Sequence, residues 1–434
     1  MKKRKKWIAA LIIGIFFITG CSSGSTQPVY QAPDASKNGI QIWAWDDTFN
    51  AKAAQMAASR YQRQHPDMEI KVTTKEREEI LSDVKLMLSS QVYDELPDII
   101  MIEDYDIQDV LQNYRDEFVV LDDVIDYDCY VDYKANLVQY NEIHYGIPFD
   151  CGTAALFYRL DIIEKAGFHE SDMQNLTWTR YMEIGRQVYE KTGIPMLTLD
   201  PTDMPLARLI MQSCGKWYVT KDGTTADIEE NQALKQALEI YQELLQENLG
   251  VSVNGWNEFI SAFQHGDVAT VISGGWIMSS IRANQEQSGL WRVAQIPKVE
   301  NNANAVPASN VGGSAWYILK KSKHSEQAKD LMVSMFAQDT DFMDTLVEEI
   351  GIIPSMKDLS VLKNYDATDP FFGGQCVTRL LNGFAAMVPV VNYGSKTYEI
   401  EKILEAEFQN ELSGGDMQQC LSRVQFKAEA VIKQ

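Results

Sequence analysis

Histidine and cysteine are too few and too scattered in this chain to build a metal centre. The five histidines, His65, His144, His169, His265 and His324, form no H-E-x-x-H pair. The cysteines include no C-x-x-C, and once Cys21 is set aside the remainder, Cys129, Cys151, Cys214, Cys376 and Cys420, is odd in number. That pattern speaks against a zinc site and a full disulfide framework, and free buried thiols are expected. Glycine-rich phosphate cradles are missing too: there is neither G-x-x-x-x-G-K-[ST] nor G-x-G-x-x-G. The formal G-x-S-x-G over residues 20–24 follows no core strand and is not a nucleophile elbow. No cofactor and no metal are therefore expected.

Positive charge is in deficit. Lysine and arginine total 39 against 61 acidic residues, a formal charge of −22, and Lys2, Lys3, Arg4, Lys5 and Lys6 crowd into the first turn of chain. Phosphate backbones need clustered cations, so nucleic acid is set aside as a partner. The acidic pairs Asp104/Asp106 and Asp126/Asp128 lack the loop glycine and the twelfth-position glutamate of a calcium hand, and read as solvated faces. Beyond the amino terminus no stretch reaches 18 consecutive apolar residues, so no membrane-spanning helix is expected in the body. What is present is ordinary: 45% hydrophobic residues over 434 positions, enough for two or more domains.

The amino terminus reads as an address. A basic head is followed by an apolar run from Trp7 to Ile18, too short to span a bilayer. The run ends in Ile18-Thr19-Gly20-Cys21. This resembles a bacterial lipobox, with Ile and Thr in place of the commoner Leu and Ala or Ser. The expectation is a signal peptide over 1–20, acylation of Cys21, a flexible polar tether over 21–38, and a body held by its lipid at the outer face of a cell membrane.

Along the body, strands and helices alternate, which predicts an α/β fold. Gly39–Trp45 alternates like a half-buried strand. Phe49, Ala53, Met56, Ala57 and Tyr61 recur at helical spacing up to Pro66, and Glu69–Thr73 reads as the next strand. Pro97–Ile102 is a continuous apolar strand of the kind buried on both faces. Later strands are expected at Ala154–Arg159, Val268–Ile272, Val293–Pro297 and Ala315–Leu319. Helices are expected at Tyr181–Lys191, after an Asn231 cap, around Phe259 and Phe263, over Gln327–Phe336, and twice near the carboxyl terminus.

Tryptophans gather at the ends of these strands. Trp45-Asp46 follows the first, Trp217-Tyr218 follows a glycine, Trp256 opens a helix, and Gly274-Gly275-Trp276 closes a strand. Ligands of open α/β sheets sit at the carboxyl ends of strands. Indole faces suit the C–H faces of a sugar ring, and carboxylates accept its hydroxyls. Taken singly, any one of these tryptophans more often fills a core role; Trp178, Trp291 and Trp316 are assigned to the core.

An ordered series of motifs resembles the family 1 extracellular solute-binding proteins, the sugar-capturing lipoproteins of ABC importers. The series runs from Gln41–Asp46 through Leu96–Ile100, Gly146–Asp150, Ala155–Arg159, Glu164–Phe168, Thr177-Trp178, Gly266–Thr270 and Gly274–Trp276 to Ala308–Ser314. Tyr105, Phe149-Asp150, Trp217-Tyr218, Gly373–Gln375 and Val391–Gly394 look most like arabinose-oligosaccharide-type members. The resemblance implies a monomer of two α/β lobes closing on a hinge, 39–152 plus 294–338 and 153–293 plus 339–434, with a carbohydrate between them and no catalysis. It implies delivery to a membrane permease driven by a cytoplasmic ATPase. It places Trp45, Asp46, Glu103, Asp104 and Asp150 on the first lobe and hinge side of the cleft, and Trp276 on the second; Gly312 and Gly313 pass close to the sugar. Ser314 stands where relatives often carry an aromatic. A binder of another solute, or a glycoside hydrolase using Glu103 and Asp150, are the alternatives.

Overall fold

The computed structural model describes residues 39–412 and 415–433; the expected signal peptide, tether and Cys21 lie outside them. The strands used below are β1 (Gly39–Ala44), β2 (Glu69–Thr74), β3 (Ile99–Glu103), β4 (Gly146–Asp150), β5 (Ala154–Arg159), β6 (Leu197–Leu199), β7 (Gly250–Ser252), β8 (Thr270–Gly274), β9 (Trp291–Ala294) and β10 (Ser314–Ile318).

The first sheet is five-stranded, in the order β2-β1-β3-β10-β4. Its opening is the expected βαβ: β1 is parallel to β2 and to β3, with Ile42 opposite both Val72 and Ile99. Ile99, Ile100, Met101 and Ile102 are all buried, as an apolar run of that length in a central strand requires. Asp98, just before it, is also buried. Its carboxylate accepts the backbone N–H of Gln41 at 2.8 Å and that of His324 at 2.8 Å. The aspartate of the Leu-Pro-Asp motif is thus a structural clamp joining β1 to the segment after β10. That late strand, β10, inserts antiparallel between β3 and β4.

The second sheet is the antiparallel set β8-β5-β9, next to the short parallel pair β6 and β7. Each sheet has its own hydrophobic core. Ile40, Ile100, Phe149, Trp316 and Phe336 belong to the first, and Phe157, Trp178, Trp217, Tyr241, Trp291 and Phe408 to the second. The three tryptophans assigned to the core, Trp178, Trp291 and Trp316, are at most 2% exposed.

Core membership departs from the expected lobe ranges at three places. Tyr105, Val131, Tyr133, Leu137 and Cys151 pack in the second core, although 39–152 was assigned to the first lobe. Ile296, Val299, Ala305 and Ala308 pack in the second core, although 294–338 was assigned to the first lobe. Phe342, Met343, Leu346, Ile352 and Leu359 pack in the first core, although 339–434 was assigned to the second. The helix Thr340–Glu349 follows the first-core helix Ser325–Met332 after the π-helical segment Val333–Gln338 and stays with that core.

Three chain segments at the junction of the two cores, 150–154, 309–314 and 353–355, lie side by side. Val311 donates its N–H to the Gly152 carbonyl at 2.7 Å, Ala154 donates to Ser309 at 2.9 Å, and Cys151 donates to Ile353 at 2.7 Å. Cys151, Cys214 and Cys420 are buried free thiols, as expected; Cys376 is partly exposed and Cys129 fully so. No described helix is long and apolar enough to cross a membrane.

Candidate functional site

At the junction of the two cores a cleft of about 680 Å³ opens, within the range of small-molecule sites. From the first core it receives Trp45, at the end of β1; Arg77, which opens the helix Arg77–Ser90; and Glu103, the last residue of β3. From the second it receives Trp256 and Phe259 of the helix Gly255–His265 and Trp276 beyond β8. Tyr398, Glu401, Lys402 and Glu405 of the helix Thr397–Glu411 complete that side. Gly312 lies between, on the second chain crossing.

The aromatic wall is continuous. The Trp256 and Trp276 rings are 5.7 Å apart, and Trp256 lies 5.5 Å from Phe259. Trp256 is 53% exposed, the freest ring of the group. Trp276 packs against both cores, and its Nε1 donates to the Val311 carbonyl at 2.8 Å, which fixes the plane of the indole. Gly312 lies between the wall and the opposite side, in a backbone conformation that favours glycine. A Cβ on it would stand 3.4 Å from Trp276 Nε1 and 3.8 Å from Glu103 Oε1, and its φ of +76° is in the left-handed region.

The polar side is a set of tied charges. Arg77 is ion-paired to Glu103, and Tyr398 joins both. Arg208, buried, pairs with Glu401 and, at 2.7 Å, with Asp203. Glu401 also accepts the Tyr218 hydroxyl at 3.0 Å. Glu405 is left among these carboxylates: burial, reinforced by Glu401 and Asp203, pushes it up to about 7. Among the described residues no cluster of potential ligands forms a metal site.

Of the residues singled out from sequence, Trp45, Glu103, Trp256, Trp276 and Gly312 line this cleft. The others are corrected to different places. Trp217 is 1% exposed, its Nε1 donating to Thr397 Oγ1 at 3.0 Å, because it stacks behind Tyr105 within the second core. Asp104 is not a solvated acid but a buried one, held by Lys134 at 2.6 Å; burial pushes its carboxyl up, with Lys134 opposing. Asp150 accepts the Ser314 hydroxyl at 2.6 Å, and both are buried. Gly313 faces Asp104 rather than the cleft. Asp46 is exposed and uses its carboxylate to cap Thr48, whose N–H donates to it at 2.9 Å. Sequence reasoning missed Arg77, Arg208 and the helix stripe 398, 401, 402 and 405. That stripe has the i, i+3, i+4, i+7 spacing of one helix face and was legible beside the apolar face that was used.

Comparison with known proteins now has a geometry to fit. The family described as bacterial extracellular solute-binding protein matches residues 56–370. A lactose-binding protein of Rhizobium radiobacter is 38% identical over 394 residues, 91% of this chain and 93% of that protein. The chain belongs to the bacterial extracellular solute-binding proteins. A second relative in this family, an arabinooligosaccharide-binding protein of Halalkalibacterium halodurans, is 25% identical over 64% of this chain and 62% of its own. Among solved structures, the GacH receptor of Streptomyces glaucescens superposes with a TM-score of 0.76 at 17% identity, over 92% of this chain and 99% of that one. At that identity the likeness speaks to the fold, which is the two-lobed α/β fold of this family. Glu103 and Asp150, the pair a glycoside hydrolase would need across one bond, do not share the cleft.

Proposed function

We propose that this solute-binding protein is a carbohydrate receptor, and that its ligand is a short neutral oligosaccharide of the galactoside type held in the cleft between the two cores. The observation that carries this is the cleft itself. Trp45, Trp256 and Trp276 offer apolar faces within one space, and Glu103 and Tyr398 stand beside them as hydroxyl partners. Stacking needs both together: rings for the C–H faces of a sugar and fixed polar groups for its hydroxyls. Asp200, Asp203, Glu401 and Glu405 in the lining disfavour anionic sugars. The lactose-binding name of the 38% identical relative supports a β-galactoside ahead of an arabinoside. A thermal-shift series over lactose, galactobiose, arabinotriose and maltose tests it. At a hundredfold excess over Kd a true ligand adds about 2.7 kcal/mol of stability, and no shift with any of these sugars would count against the reading.

We also assign the two cores to two lobes. The boundaries follow the sheets and most of the core packing: 39–150 plus 314–362 form the first, and 154–309 plus 371–433 the second, with Tyr105, Val131, Tyr133 and Leu137 of the first packing in the second core. The crossings at 150–154 and 309–314, with the segment 353–355 running beside them, serve as the hinge. The ligand touches both lobes, so it favours the closed state, which a membrane permease with a cytoplasmic ATPase then receives. Acylated Cys21 anchors the monomer at the outer face of the membrane. Cys21→Ser should release it into the medium or block maturation; unchanged membrane retention at mature size speaks against the anchor.

A further inference from the structure

Glu103 is held from both sides of the cleft, and the two holds use the same oxygen. Its Oε2 accepts from Arg77 Nη1, a residue of the first core, in the ion pair described above. The same Oε2 accepts the Tyr398 hydroxyl at 2.7 Å. Tyr398 packs against the second core, on the helix Thr397–Glu411. Arg77 Nη1 in turn donates to the Tyr398 oxygen at 2.8 Å, and its guanidinium lies over the Tyr398 ring, 4.9 Å from the centroid. Three groups from two bodies thus close a ring of contacts. Oε1, the other oxygen, has no hydrogen-bond partner among the described residues; it faces the glycine gap, 3.8 Å from where a Gly312 Cβ would be.

We infer that Tyr398 is a positioning residue that reaches across the cleft to lock Glu103, so that Oε1 becomes a fixed acceptor for a ligand hydroxyl only when the two bodies meet. The physical reason lies in the geometry. A glutamate tied only to Arg77 can present either oxygen and swing about its outer torsion. A second, opposing donor on Oε2 fixes both the plane and the free oxygen. Charge-assisted hydrogen bonds of this kind are the stronger class. The phenol stays a donor because burial, reinforced by the negative Glu103, raises it well above its ordinary value. The same contact works as an interlobe latch. It ties one body to the other, so it favours the closed arrangement and couples recognition to closure.

This inference rests on the carbohydrate reading for its ligand but not for its latch, and the test separates them. Tyr398→Phe keeps the ring over Arg77 and removes only the hydroxyl. Nitroxide labels on Leu86→Cys and Phe426→Cys, in the full chain with Cys129→Ser and Cys376→Ser, report the distance between the bodies; both label sites are exposed, at 65% and 78%. Without any sugar, Tyr398→Phe should lengthen or broaden the measured distances. With lactose as the probe, it should weaken binding about tenfold or more. In a Glu103→Gln background the same change should then cost little further, which a merely structural tyrosine would not show. An unmoved distance distribution together with additive affinity losses overturns the proposal. A wild-type chain that binds none of the sugars removes the carbohydrate reading, while the distance comparison still decides the latch.

Discussion

Single residues at the chain crossings carry constraints out of proportion to their size. Gly313 has a φ of +91°, and a Cβ there would stand 2.7 Å from Asp104 Oδ2 and 3.0 Å from the Gly152 nitrogen. Gly313→Ala should therefore cost about 1–3 kcal/mol through backbone strain and crowding together, read as a lower midpoint in urea at unchanged slope. A midpoint equal to wild type would mean the crossing is looser than its contacts indicate. Glu405 carries a pH dependence. In the unfolded chain its carboxyl returns to an ordinary value near 4.5, whereas in the fold it is pushed up to about 7. The folded state then binds the proton more tightly. Its contribution to stability is complete below the unfolded value and is lost as pH rises through about 7. Glu405→Gln should flatten the fall in melting temperature across that window; a profile that still falls with the wild-type slope assigns the effect elsewhere.

At the scale of elements, legibility followed pattern strength. The opening strand–helix–strand, the buried strand at β3 and the helix after Asn231 were readable because each repeats its period over a full element with a stop signal at its end. Asn231 does cap the helix Gln232–Gln246, accepting from the Leu234 N–H at 3.1 Å. The structure adds what the pattern could not: its Nδ2 donates to the Trp217 and Asp227 carbonyls at 2.9 and 3.0 Å, and it is wholly buried. Asn231→Ala should cost more than an exposed cap, about 2 kcal/mol or more, since two carbonyls lose a donor. A loss under about half that, by chemical denaturation, would reduce Asn231 to an ordinary cap. The helices Arg77–Ser90 and Pro205–Ser213, which bring Arg77 and Arg208 to the cleft, passed unread. The first carries an apolar stripe, Ile80, Val84 and Leu88, that the sequence reading did not use, and the second is buried almost all round and so shows no clean stripe. The buried fates of Asp104, Asp150 and Trp217 were hidden for a related reason. Their partners Lys134, Ser314 and Thr397 lie 30 to 180 positions away in the chain.

At the scale of the whole molecule, two cores and three neighbouring segments at their junction leave one cleft with an aromatic wall facing a set of tied charges. The family order of motifs had located the wall's anchor points, Trp45, Trp276 and Gly312, because strand ends and glycine pairs are local signals. It could not rank the tryptophans, since exposure depends on how the bodies meet. Trp256 is the ring with the most open face, at 53% exposed, and its loss is the cleanest separation of ligand contact from core packing. The decisive measurement is calorimetric titration of wild type and Trp256→Ala with lactose, alongside the melting of each protein without sugar. The account predicts an unchanged ligand-free melting temperature and an affinity roughly tenfold weaker in the variant. Full-strength lactose binding by Trp256→Ala would contradict a carbohydrate site built on this wall.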